Sequence, residues 1–380
     1  MQQKMASTSG VRFVALDSWR GICAILVAIH NLNYGFWLPQ APFVRHSSLF
    51  VDFFFVLSGF VITHAYGDKL ENRDDLGAFM LRRIGRLWPL HVTMLAVLIG
   101  LHTLKILVSG FISLPPDDTA IREASPAATI LTNLFLIQVF FRNLELSWNA
   151  PSWSISSELW TYFLFAGLCV FSPKRPPPVL LMGMVALLAA SILALFSPAF
   201  LETNTDYAFV RCVYGFFVGH LVYRMWKAGI SASGNYGILE FSVIILVVVF
   251  VFFVGEDPLS LAAPFMFGFA VWVFAHERGP VSKMLTMRPF VFLGTLSYSI
   301  YMVHWFVRGI IKGADKVVMA LVGHGTLVAG QNWPIDVLLV AYLVAVVILA
   351  SFTYRLIEQP GRRFFNSLSG KIFLARRQFE

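Results

Sequence analysis

The sequence predicts an all-α protein, a polytopic transmembrane helix bundle of about ten spans plus one re-entrant or interfacial segment. Composition is the first ground. Of 380 residues, 57% are hydrophobic and 13% charged, and the mean hydropathy of +0.71 is far above that of an ordinary soluble domain. The second ground is length: apolar stretches of the roughly 17–25 residues needed to cross about 30 Å of hydrocarbon recur along the whole chain. The third is the placement of the +8 net charge, which gathers in a few short connections.

The apolar runs fall near residues 19–38, 49–66, 87–108, 127–141, 153–172, 178–196, 208–226, 239–255, 259–276, 290–311 and 335–357. Short loops rich in Lys and Arg face the cytoplasm. Such loops hold Lys69, Arg73, Arg82, Arg83 and Arg86, then Lys174 and Arg175, then Arg224 and Lys227, then Arg278, Lys283 and Arg288. The tail adds Arg362, Arg363, Lys371, Arg376 and Arg377. Connections near Asp117 and Asp118, Glu202 and Asp206, and Glu256 and Asp257 are acidic or poor in positive charge and suit the outer side. The two sets alternate only if the shortest run, 127–141, does not cross. The expectation is one transmembrane domain over residues 12–365 with both termini cytoplasmic, residues 1–11 and 366–380 forming short tails. No cleavable leader is read in MQQKMASTSGVRF, so the first span is expected to be retained. The basic balance is an orientation signal, and no nucleic-acid partner is implied. Cys23, Cys169 and Cys212 lie in apolar runs, so neither a disulfide framework nor a metal site is expected.

Three polar constellations interrupt the apolar pattern. In LDSWRGICAILVAIHNLNYGFWL, Arg20 stands at the cytoplasmic entrance and His30 about 15 Å deeper, near the bilayer midplane. His304, in GTLSYSIYMVHWF, reaches a similar depth from the same side. A titratable group at that depth is costly unless it faces a cavity or a partner, so function is the default reading. The plainer one is a neutral imidazole bonded between helices. The second constellation is FMLRRIGRLWPLH. Arg83 and Arg86 share a helix face and can fork onto phosphate oxygens, although arginines just inside a span also serve as topology anchors. The third is APSWSISSELWTYF, where Glu158 follows Ser154 by four residues at the outer end of a span. Such a pair suits a hydroxyl-rich ligand or the orientation of a histidine, and Glu158 lies deeper than a helix cap requires.

Together with VDFFFVLSGFVI, LGTLSYSIYMVH and a closing IEQPGRR, these segments resemble, in order, the acyltransferase 3 family of bacterial membrane enzymes over about residues 12–365. The resemblance implies a ten-helix domain that takes an acyl group, usually acetyl, from cytoplasmic coenzyme A and delivers it to a hydroxyl of an extracytoplasmic glycan. It implies a location in the bacterial inner membrane. It also maps the family histidine to His30, the coenzyme-binding arginines to Arg20, Arg83 and Arg86, and the Ser-x-x-x-Glu pair to Ser154 and Glu158. One spacing departs from the pattern. The family usually separates arginine and histidine by ten residues, about 20° apart on one face; here nine intervene, leaving Arg20 and His30 about 80° apart, with Asn31 at the family's position. A bulge or a late helix start would restore the alignment.

Thioester acyl transfer needs a base for the acceptor hydroxyl, stabilisation of an oxyanion and close placement of two substrates. His30 is the expected base. Arg83 and Arg86 would hold coenzyme A phosphates, while Ser154 and Glu158 meet the sugar, Glu158 accepting from its hydroxyls or positioning His30. Asn31, Tyr298, Tyr301 and His304 are the candidate oxyanion donors, and an acyl-histidine intermediate is equally compatible. The expected partners are membrane lipid, acyl-CoA as donor and a glycan acceptor; no permanently bound cofactor is expected. The competing class is a proton-coupled transporter or flippase, but no matched pair of broken helices marks repeated halves.

Overall fold

The computed structural model describes residues 11–32, 41–109, 125–141, 146–174, 176–232, 234–255, 257–322 and 335–374. Among these the regular elements are all helical. In chain order they are α1 (Val14–Leu32), a short α2 (Pro42–Arg45), α3 (Phe50–Tyr66), α4 (Arg73–Ser109), α5 (Pro126–Leu134), α6 (Ser152–Phe171) and α7 (Val179–Phe196). There follow α8 (Ala208–Lys227), α9 (Tyr236–Phe253), α10 (Ala263–Phe274), α11 (Pro280–Leu285), α12 (Arg288–Val322), α13 (Ile335–Thr353) and α14 (Gln359–Ser369). Ten of the eleven apolar runs become helices of 12 to 37 residues. The run at 127–141 becomes the nine-residue α5 and a 3-10 turn at Gln138–Phe140, about 14 Å of helix at 1.5 Å per residue and too short to cross.

Among the described residues, seven segments are apolar and long enough to cross a membrane by length and composition alone. α1 and α8 fall short of that test because they carry Asp17, Arg20 and His30, and Arg211, His220 and Arg224, within otherwise apolar sequence; Pro258–Phe274 is apolar but shorter. The charged helices are the buried ones. α7 and α9 instead show large apolar side chains such as Leu180, Leu187, Ile238 and Ile245 to the surroundings, as lipid-facing helices do.

Contacts between loops place the basic connections at one end. Lys227 pairs with Asp68, Arg73 lies over the Phe171 ring, Glu277 accepts from the Ala15 amide, and Ser369 donates to the Ala78 carbonyl. The expected outer connections around Asp117, Asp118 and Glu256 lie outside the described residues, as do Arg175, Arg376 and Arg377.

Without water to drive apolar surfaces together, membrane helices gain from close backbone approach. A Cβ on Gly59 would strike the Phe216 carbonyl, which brings α3 against α8, and one on Gly294 would strike the Asp17 carbonyl, which brings α12 against α1. α3 and α8 are further locked by a fully buried ion pair. Arg211 Nε and Nη2 donate to the two Asp52 oxygens at 3.0 and 2.7 Å, and Nη1 donates to the Thr203 carbonyl and Asn204 Oδ1. The same guanidinium lies over the Trp153 ring of α6.

α4 runs through Pro89, whose missing N–H leaves the Gly85 carbonyl without its helical donor. The C-terminal segment covers this stretch: Phe365 packs on Gly85 and Gly361 on Pro89. The turns that carry Arg82, Arg83 and Arg86 are thereby backed by α14.

Candidate active site

A cleft opens between α1, α3, α4, α6 and α12. Arg20 comes from α1, Arg83 and Arg86 from α4, Ser154 and Glu158 from α6, and Tyr298 and Tyr301 from α12. Seven residues singled out in the sequence therefore line one space. Arg82, in the same basic run, does not; it lines a separate basin near Asp68 and Phe373. Arg83 and Arg86 are the pair that lines the cleft, on one face of α4 as a three-residue spacing allows.

The two ends of the cleft differ in how their polar atoms are satisfied. Arg83 donates to the Tyr66 hydroxyl at 3.1 Å and lies over the Tyr66 ring, while its Nε is buried without a partner. Arg86 has no hydrogen-bond partner among the described residues, and Arg20 has only a 4.0 Å ion pair with Asp17. Cations left open toward a cavity can take an anionic ligand at little cost in broken protein bonds.

At the other end, Ser154 Oγ and the Tyr301 hydroxyl are 2.8 Å apart and both reach the Pro151 carbonyl. Glu158 Oε1 accepts from Ser58 Oγ at 2.7 Å and from the Tyr162 hydroxyl. The short hairpin formed by α5 and the following turns holds the start of α6. Trp88 Nε1 and His91 Nε2 donate to the Leu134 and Asn133 carbonyls, and Ser156 and Trp160 donate to the Leu136 carbonyl. Leu136 and Trp148 sit at positive φ on either side of this hairpin, a backbone state most side chains avoid.

His30, Asn31 and His304 are not part of the cleft lining. α1 is an unbroken α-helix through this stretch, so neither a bulge nor a late start restores the alignment, and the nine intervening residues turn His30 about 80° from Arg20. Asn31, at the aligned position, donates back to the Val27 carbonyl. His30 Nδ1–H donates to the Val44 carbonyl of α2 at 3.1 Å, and His304 Nδ1–H donates to the Tyr301 carbonyl at 2.6 Å. A carbonyl only accepts, so each neutral ring presents Nε2 as its lone-pair atom. For His304 that atom is buried and unpartnered. The Tyr342 hydroxyl lies 3.0 Å from the Ala28 carbonyl and 3.4 Å from that of His304, which sets the two histidine-bearing stretches in one layer, as their equal depths predict. Tyr301 connects this layer to the cleft: its hydroxyl faces Ser154 and its ring packs on His304.

Sequence reasoning missed Ser58, Tyr66, Tyr162 and Glu358. Hydroxyls are frequent in apolar spans, and nothing in one sequence says which of them meet Glu158 or Arg83. Glu358 carries a stronger signal, a carboxylate inside the closing IEQPGRR. It is buried at the end of a π-helical turn, Tyr354–Glu358, and accepts from Ser299 at 2.6 Å. Such turns recur at functional sites.

The family described as an acyltransferase domain, acyltransferase 3, matches residues 13–355. The chain belongs to this acyltransferase family. Among curated relatives of this acyltransferase, protein 2 in the picA locus of Rhizobium radiobacter is 35% identical over 161 residues, covering 41% of this chain and 81% of that protein. The peptidoglycan O-acetyltransferase OatA of Listeria monocytogenes is 24% identical over 391 residues, 94% of this chain and 57% of its own length. The O-acetyltransferase OatA of Staphylococcus aureus is 24% identical over 377 residues, 92% of this chain and again 57% of its own. The acyltransferase chain thus spans little more than half the length of the O-acetyltransferases it matches. No solved structure matches it.

Proposed function

We propose that the protein is a membrane O-acetyltransferase that moves an acetyl group from acetyl-CoA, entering at the basic end of the bundle, to a hydroxyl of a glycan reached at the other. The observation that carries this reading is the cleft itself. One space holds open guanidiniums from helices that start at the basic end and a serine–carboxylate pair from a helix that starts at the opposite end. The positive-inside tendency puts the basic end in the cytoplasm, where acyl-CoA is made.

In this reading Arg83 and Arg86 grip coenzyme A phosphates, with Arg20 adding charge further in, and the pantetheine arm runs along the cleft toward Tyr298 and Tyr301. A hydroxyl of the acceptor sugar donates to Glu158, and the reacting hydroxyl beside it gives up its own proton as it attacks the thioester carbonyl. The C–O bond forms, the C–S bond breaks, and the hydroxyl proton ends on the coenzyme A sulfur. His30 Nε2 is the proposed base, with His304 Nε2 sharing its layer and Tyr301 between that layer and the cleft. The Ser154–Tyr301 hydroxyl pair is the proposed donor set for the oxyanion. An exopolysaccharide, an O-antigen or another lipid-linked glycan would supply the acceptor hydroxyl.

Mass comparison of surface glycans from cells with and without the gene tests the proposal. It expects a loss of one acetyl unit per modified site in the deletion strain. Identical glycan masses, with unchanged base-labile acetate, would refute it.

A further inference from the structure

The carboxylate of Glu158 is held in an unusual way. Its two hydrogen bonds both fall on Oε1, one from Ser58 of α3 and one from Tyr162 of its own helix, one turn on. Those two hydroxyls are 2.7 Å from each other, so the three oxygens close a triangle. Among the described residues Oε2 receives no hydrogen bond, although Glu158 lines the cleft. Tyr162 is buried, its ring fixed edge-on by Phe79 and Phe216. Ser58 directly precedes Gly59, the point where α3 touches the α8 backbone. Neither donor is therefore on a freely moving segment.

We infer that Ser58 and Tyr162 are positioning residues that clamp Oε1 of Glu158 and leave Oε2 as the single acceptor-facing oxygen. This rests on the acyltransferase reading and extends it to specificity. An ionised carboxylate accepts and does not donate, and with Oε1 occupied it offers one oxygen to whatever enters. A neutral hydroxyl can satisfy it, whereas a carboxylate or phosphate oxygen in the same place meets like charge. The clamp selects a hydroxyl-bearing acceptor and fixes the direction from which its oxygen approaches. Preorganisation of this kind matters because small misplacement of a reacting group costs rate far more than binding.

Two readouts separate the clamp from the activity it serves. The first is thermal unfolding of purified protein in detergent. Ser58→Ala should lower the melting temperature in the parent but have little further effect in a Glu158→Leu background, because the partner is already gone. Equal shifts in both backgrounds would show that Ser58 and Glu158 are not coupled and would overturn the clamp. The second readout is transfer from labelled acetyl-CoA in membranes carrying their own acceptor. Ser58→Ala and Tyr162→Phe should each lower kcat at least tenfold with KM for acetyl-CoA unchanged, and Ser58→Thr, which keeps the hydroxyl, should restore most of it. Variants that keep the parent's kcat, or a threonine that rescues nothing, would remove the positioning role. Parent membranes that transfer no acetyl group would instead count against the acetyltransferase reading, with the unfolding measurement still deciding the clamp.

Discussion

Arg211 and the trio Arg20, Arg83 and Arg86 both lie inside this bundle, and they are built on opposite terms. Arg211 is about 1% exposed and its donors are taken by Asp52, Thr203 and Asn204. Arg20, Arg83 and Arg86 line a cleft with a buried Nε on Arg83 unpartnered and Arg86 without a hydrogen bond among the described residues. Both break the same sequence rule, that charge is excluded from spans. What separates structure from function is the saturation of the donors. A filled guanidinium holds helices together, and an unfilled one beside a cavity is free, in the proposed function, to take an anion.

The largest effect should come from unbalancing the closed pair. Arg211→Leu leaves Asp52 charged and buried, and stability should fall by about 3–5 kcal/mol, read as a lower melting temperature and poor yield in detergent. Replacing Asp52 and Arg211 together by apolar residues should recover much of that loss, since a buried pair is close to neutral against an apolar replacement of its size. If the single and double replacements are equally harmful, the pair does more than balance charge. In the open cluster Glu158→Gln should leave the melting temperature nearly unchanged and coenzyme A binding intact while lowering acetyl transfer by roughly 100-fold or more, the scale of a misplaced proton-transfer group. Parallel loss of coenzyme A affinity would blur the division between the two ends of the cleft. The smallest expected change is Tyr66→Phe. It removes one hydrogen bond to Arg83 but keeps the ring beneath it, and should weaken coenzyme A binding by about 1 kcal/mol, roughly fivefold, in a calorimetric titration.

The comparison also explains what could be read from the chain. Arg20, Arg83, Arg86 and Glu158 were legible because a charge in an apolar run needs a reason, and Asp52 and Arg211 carried the same signal without being read. The eleven apolar runs followed from hydropathy and length, and the one that does not cross followed from the alternation of basic and acidic connections together with its shortness. Ser58 and Tyr162 were hidden, since their importance exists only once the fold sets Ser58 of α3 against Glu158 of α6. The geometry of His30 was legible in one respect. The nine-residue spacing turned it away from Arg20, and the unbroken α1 keeps it there, tied to Val44 outside the cleft lining. Why the chain couples this layer to the cleft through Tyr301 could not be seen before the tertiary fold, because it depends on α12 meeting the start of α6.

The account stands or falls on the arginine fork. Replacing Arg83 and Arg86 together by lysine keeps the charge that orients the helix and removes the planar, two-pronged donor set. The decisive measurement is a calorimetric titration of coenzyme A into the parent and double-lysine proteins in detergent, with melting temperatures as the control. A phosphate grip predicts an unchanged melting temperature and an affinity loss of roughly 1–3 kcal/mol, about five- to 150-fold. Equal affinity in the two proteins would contradict it and leave Arg83 and Arg86 as topology anchors.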